Sequence, residues 1–246
     1  MNHQILLYEE LSFNSHPSLK TQYYDGWILR YSNGFTNRAN SVNMIYPSTI
    51  NLQTKIEECE KRYSEQKLPC VFKVTDGSEE GLDGMLEERG YQVVTPTMLM
   101  IMDLQNKNFV SSDCIITPYA DDEWLRIYFD LCRVEKLDQK TAKEMMDAVM
   151  NTTLNCRIVE NDKSIACATA IIERGYVILL NVNVEEKHRG RGFGRQLCES
   201  LLCEAKLRGA HTSYLQVVHN NKIAINLYEK LGFKKVYSYW YRVKEM

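Results

Sequence analysis

The chain has 246 residues, 44% of them hydrophobic and 25% charged, a composition that suits a soluble globular protein of one large domain or two ordinary ones. A formal net charge of -2 gives no basic excess for nucleic-acid phosphates or anionic lipid, and apolar runs such as YVILL from Tyr176 fall far short of the roughly 18 residues of a membrane span. The eight cysteines show no C-x-x-C pair and no histidine cluster lies at metal-ligand spacing; with no secretory pattern in MNHQILLYEE, they read as reduced thiols of a cytoplasmic, metal-free protein.

In chain order, WILRYS from Trp27 and ANSVNMIY from Ala39 are strand-like, with NGFTN between them as turn material. A helix is expected over 51–67, then the strand CVFKVT, then a helix in EEGLDGMLEERG closed by Gly90, then the strand-like YQVVTPTMLMIM. QNKNFVSSD at 105–113 is polar and turn-rich, as a domain boundary would be. Beyond it come the strand CIITPYA, helices between Asp121 and Asn151, strands near 155–161, 164–173 and 176–184, a helix over 195–208 and the strand TSYLQVV. In NKIAINLYEKLG, residues Ile223, Ala224, Leu227, Tyr228 and Leu231 form a helical stripe closed by Gly232, and the strand-like FKKVYSYWYRV follows. ERGYQVV superposes on KLGFKKV, and helix, strand, helix and strand precede and follow in the same order in both halves. The matched order predicts two similar modules in tandem, 1–110 and 111–246.

The strand-like YVILLNVNV runs straight into EEKHRGRGFG and a following helix pattern. A loop of this kind exposes consecutive backbone N–H groups at the positive end of a helix dipole, where phosphate oxygens bind. Gly190, Gly192 and Gly194 remove the β-carbons that would hold an anion away, and Arg189, Arg191 and Arg195 bring positive charge. On these residues alone, a tight turn carrying a solvated arginine face is an equal reading. A Walker loop is excluded because no Gly-Lys-Ser/Thr follows, and G-x-G-x-x-G is absent.

Arg189, Gly192 and Gly194 match the Arg/Gln-x-x-Gly-x-Gly/Ala signature of the GNAT superfamily of N-acetyltransferases. Asn221, Ala224, Tyr228, Gly232 and Phe233 resemble its second signature, so the resemblance runs from about Cys114 to the end of the chain. It implies an α/β (α+β) fold of two GNAT-like modules, each a mixed, mainly antiparallel twisted sheet flanked by helices. The cofactor, acetyl-CoA, would lie between splayed strands of the C-terminal module. Its pyrophosphate would sit on the loop Arg189, Gly190, Arg191, Gly192, Phe193 and Gly194, with Arg195 helping, and its pantetheine arm would pair with the backbone of Val182 and Val184.

Tyr228 would be the general acid toward the departing thiolate, a phenol donating to a thiolate of similar basicity, and Asn221 would touch the cofactor or simply cap its helix. Glu173, upstream of the fourth strand, is the candidate base, although an exposed turn glutamate before Arg174 and Gly175 is the simpler reading and water bridged from Asn181 would serve equally. Strict alternation places Leu180, Val182 and Val184 on one face of that strand and Leu179, Asn181 and Asn183 on the other; the two asparagines either hydrogen-bond to neighbouring backbone, the simpler reading, or are candidate substrate or water contacts. Counted back from Gly90, Leu86 stands where Tyr228 does and Glu79 where Asn221 does, so the first module is expected to have the fold without the cofactor site. The expected function is acetylation of a primary amine on a small molecule by a monomer or homodimer. The alternatives are a protein N-acetyltransferase and a non-catalytic acyl-CoA-binding sensor.

Overall fold

A computed structural model describes residues 2–244, which divide into two compact units. One is the chain up to Met98 together with the segment from Tyr237; the other is Leu99–Val236. The last strand of the sequence thus belongs with the first unit, an exchange that a boundary at 110 does not include.

In the first unit the elements are α1 (His3–Ser15), β1 (Lys20–Tyr24), β2 (Trp27–Tyr31), β3 (Val42–Met44), α2 (Leu52–Glu65), β4 (Cys70–Thr75) and α3 (Leu82–Glu88), and β5 (Gln92–Asp103) begins here. The sheet runs β1-β2-β3-β4-β11, where β11 is Lys234–Lys244; β3 and β4 are parallel and the other neighbours antiparallel. Alternate residues of β2, β3 and β4, among them Trp27, Leu29, Val42, Phe72 and Val74, share an apolar core with Ile56 and Tyr63 of α2 and Leu82 and Leu86 of α3. The other parity of β4 carries Lys73, whose Nζ lies 2.7 and 2.5 Å from the two carboxylate oxygens of Glu9 on α1. Tyr237 donates its hydroxyl to the same carboxylate at 2.7 Å.

β11 is also fixed by Arg242, which is buried at 5% exposure and grips Asp83 of α3 through Nε at 2.8 Å and Nη2 at 2.7 Å, while Trp240 Nε1 donates to Asp83 at 2.8 Å. These donors hold the Asp83 carboxyl below its usual range, the Arg242 hydrogen bonds foremost. The resulting stability is present above the ordinary aspartate pKa, near 4, and is lost as pH falls through the depressed folded value. Asp83→Ala is expected to cost about 2 kcal/mol in urea unfolding at pH 7, by leaving a buried guanidinium short of its partner. The gap to wild type should close in acid.

The second unit continues from β5 through β6 (Ile115–Thr117), α4 (Asp122–Leu131), α5 (Lys136–Asp147), β7 (Thr152–Glu160), β8 (Lys163–Glu173), β9 (Tyr176–Val184), α6 (Phe193–Leu207), β10 (Thr212–Val218) and α7 (Lys222–Leu231). Strands β6 to β9 form consecutive antiparallel pairs, and β9 is parallel to β10. At the far side of β10, Leu104 N after the end of β5 donates to His211 O at 2.9 Å. α6 buries Leu197, Leu201, Leu202 and Ala205 and packs on β8 and β9. Three strands, helix, strand, helix, strand recur in both halves, each with one parallel pair in the same place, which is the mixed, mainly antiparallel architecture expected for the repeat. All eight cysteines are free thiols. No helix among the described residues is long and apolar enough to cross a membrane.

The strict alternation expected for β9 does not hold. Leu180 faces Thr169 and Asn183 faces Cys167, so three residues of β9 span two of β8, and Asn181 sits in the bulge at φ 54°. A bulge reverses side-chain parity. Asn183 therefore joins Leu180 on one face, while Val184, opposite Ala166, rejoins Leu179, opposite Ala170.

Candidate active site

The site begins where β9 and β10 part. They pair from Tyr176 with Thr212 to Leu179 with Leu215, yet β9 continues to Val184 and β10 to Val218. Backbone beyond Leu179 on that side of β9 is left open for an extended ligand to pair with. Past Val184, a single helical turn at Glu186–His188 leads into Arg189, then Gly190 at φ 77° and Gly192 at φ 90°. These left-handed positions suit glycine, and open space lies in front of both, since a β-carbon there would meet nothing within 4 Å.

α6 starts at Phe193, two residues earlier than the sequence pattern indicates, with Gly192 as its cap. Its first intrahelical bond is Gln196 N to Gly192 O at 3.0 Å, so the N–H groups of Phe193, Gly194 and Arg195 precede the helical ladder and stand at the positive end of the dipole. Gly194 keeps α6 close to α7: a β-carbon there would lie 3.3 Å from Leu227 Cδ2.

These elements enclose a cavity of about 360 Å³. Val182, Asn183 and Val184 line one wall, Arg189, Gly190, Gly192, Phe193, Gly194 and Arg195 the loop end, and Asn221 and Tyr228 of α7 the third side. Asn183 donates to Cys132 Sγ at 3.1 Å, tying the strand to the end of α4. Asn221 caps α7, its Oδ1 accepting from Ala224 N at 3.1 Å, and also borders the cavity. Tyr228 is 8% exposed and its ring stands edge-on to Phe233 at 5.9 Å. Burial, with a smaller contribution from Cys198, pushes its phenol well above the ordinary value, which keeps the proton on it.

Three expected residues are not brought to this cavity. Arg191 turns its guanidinium to Glu160, at 2.6 and 3.1 Å, and not to the space before the loop. Asn181 is taken up by the bulge, its carbonyl accepting from Cys167 Sγ at 3.9 Å. Glu173 pairs with Arg174 at 3.3 Å, accepts from Asn151 at 3.2 Å and sits opposite Tyr176, at the other end of β9 from Val182. Six residues of strand make that separation about 20 Å.

Four lining residues are not among the binding residues named from the sequence: His188, at the start of the loop, and Ile223, Ala224 and Leu227. The last three belong to the stripe that periodicity assigns to a core face. Ile223 is 80% exposed, and only Tyr228 and Leu231 of α7 are buried. The stripe faces a ligand-sized opening, and its nearness to Asn221 and Tyr228 along the helix is the signal that marks it. Among the described residues no group of three or more His, Cys, Asp or Glu side chains is placed to hold a metal ion.

A protein family described as "Probable histone acetyltransferase Rv0428c C-terminal" matches residues 3–242. The uncharacterized N-acetyltransferase YobR of Bacillus subtilis (strain 168) is 28% identical over 242 residues, covering 96% of this chain and 97% of YobR. A GCN5-related N-acetyltransferase from Kribbella flavida superposes with a TM-score of 0.70 at 12% identity, over 98% of this chain and 95% of that one. A tandem GNAT protein from the clavulanic acid biosynthesis pathway, solved without AcCoA, does so with a TM-score of 0.68 at 11% identity, over 96% and 87%. At these identities the two structures speak for the fold alone.

Proposed function

The chain belongs to the Rv0428c C-terminal family of GNAT-type acetyltransferases, and from that premise we propose that it moves an acetyl group from acetyl-CoA to a primary amine of a small molecule within a ternary complex. The observation that carries the reading is a single cavity bordered by an open strand edge, a glycine loop at a helix N-terminus and a buried tyrosine.

The N–H groups of Phe193, Gly194 and Arg195 take the pyrophosphate, and the backbone of Val182 and Val184 pairs with the pantetheine arm. This arrangement presents the thioester near Tyr228. The neutral amine attacks the thioester carbonyl, the C–S bond breaks, and Tyr228 gives its proton to the departing sulfur. Glu173 is too far along the strand to act as the base, so water in the cleft takes the amine's proton. The first unit carries no cofactor in this reading. Leu86, at the position matching Tyr228, is a fully buried core residue, and Glu79 is exposed.

Coenzyme A thiol release, measured for the full chain against a panel of small amines and of lysine-bearing and N-terminal peptides, tests the proposal. Amine-dependent release with small amines is expected. Release with peptides alone would convert the reading to protein acetylation, and cofactor binding without release for any acceptor would leave a sensor.

A further inference from the structure

The turn from β7 to β8 brings a carboxylate to the cofactor loop from outside the two motifs. Resting on the coenzyme A reading of the cavity, we propose that Glu160 is a positioning residue that clasps the glycine loop through Arg191 and His188 and holds its N–H groups where the pyrophosphate meets them.

Glu160 is the last residue of β7, and Asn161 and Asp162 after it both turn at positive φ, 51° and 60°. Its two oxygens receive the Arg191 fork, Nη2 at 2.6 Å and Nη1 at 3.1 Å. His188 Nε2 lies 3.1 Å from the same carboxylate, and its Nδ1 lies 2.8 Å from Glu185. The attachment points, 188 and 191, stand on either side of Gly190. The Arg191 guanidinium also lies over the Phe193 ring, 4.9 Å from its centroid, and Phe193 opens α6 and lines the cavity. One carboxylate thus restrains the loop on both sides of Gly190.

A loop with glycines at 190, 192 and 194 has the backbone freedom to lose its shape, and ordering it on binding would weaken the cofactor. A fork bond from a strand end removes that freedom beforehand, and Arg in a bidentate pair gives the restraint a direction. The same contacts occupy Arg191, so its guanidinium steadies the loop instead of reaching for the phosphates.

The sign of one substitution separates this role from simple electrostatics. A carboxylate near an anion site repels the anion, so by Coulomb's law alone Glu160→Gln would tighten binding. The clasp requires the opposite. Coenzyme A would be titrated by calorimetry into the full chain, wild type and Glu160→Gln, at one ionic strength, with acetyl-CoA kinetics alongside. The expected result is a rise of about fivefold in Kd and in acetyl-CoA KM, kcat within about twofold, and an unchanged unfolding midpoint, since the pair is partly exposed. Adding Glu160→Gln to Arg191→Ala should weaken binding less than it does alone. Equal or tighter binding by Glu160→Gln, additive losses in the double variant, or a matching fall in the unfolding midpoint would overturn the clasp. Failure of the wild type to bind coenzyme A would remove the site reading instead, so the two failures are distinct.

Discussion

Tyr228→Phe is expected to lower kcat by about two to three orders of magnitude while leaving the acetyl-CoA KM within about twofold. The ring is buried beside Phe233, and phenylalanine fills the same space, so the substitution removes only the hydroxyl. Among the described residues that hydroxyl is the one buried acid bordering the cavity, and without it the thiolate must leave unprotonated or wait for water. Because burial raises the phenol's pKa, the wild-type kcat should not fall as pH passes the ordinary tyrosine value near 10 through ionisation of this group. Steady-state kinetics of both proteins across pH checks each half of the statement. A kcat unchanged by the substitution would end the role.

Gly192→Val should raise the Kd for coenzyme A by at least about 30-fold, equivalent to roughly 2 kcal/mol. The residue caps α6 at φ 90°, a region closed to a β-branched side chain, and forcing it there costs about 1–3 kcal/mol. No protein atom within 4 Å would clash with the new β-carbon. The loss comes instead from a loop driven out of its left-handed turn and from methyl groups placed in the anion's space. Calorimetric titration reads the effect, and the unfolding midpoint shows whether the rest of the chain stays intact. Binding at wild-type strength would mean the phosphate does not sit on this loop.

Most elements were legible because their burial is periodic: α2, α6 and α7 bury or present one stripe, and β2, β4 and β8 are apolar runs with clear ends. Two were not. α1 buries Glu9, Ser12 and Ser15 beside Ile5, Tyr8 and Leu11, so half of its inward face is polar and the hydrophobic period vanishes. β1 (KTQYY) is an edge strand exposed over nearly its whole length, with no alternation to read.

At the candidate site, the glycine loop, Asn221 and Tyr228, which border one cavity, stand out in the sequence because local spacing carries them. The bulge at Asn181 could not, since a period of two has no term for an extra residue. Nor could Glu160, which reaches the loop only through the pairing of β7 with β8. Glu173 was named for its place in the sequence near a strand start, and the structure puts that start at the end of the strand away from the cavity.

The passage of β11 into the first unit sets an order of events during synthesis. Thr75 pairs with Tyr239 and Cys70 with Lys244, so β4 waits for the final segment of the chain before that edge is closed. At ~5–20 residues per second, the interval is roughly ten to thirty seconds, during which β4 presents an unsatisfied strand edge on the ribosome. Contacts so distant in sequence also slow closure itself. A gene fragment ending near residue 110 would encode a sheet with a strand missing, and one beginning there would encode a strand with no sheet of its own to join. The two halves repeat one order of elements, yet the sheet of the first is completed only by β11.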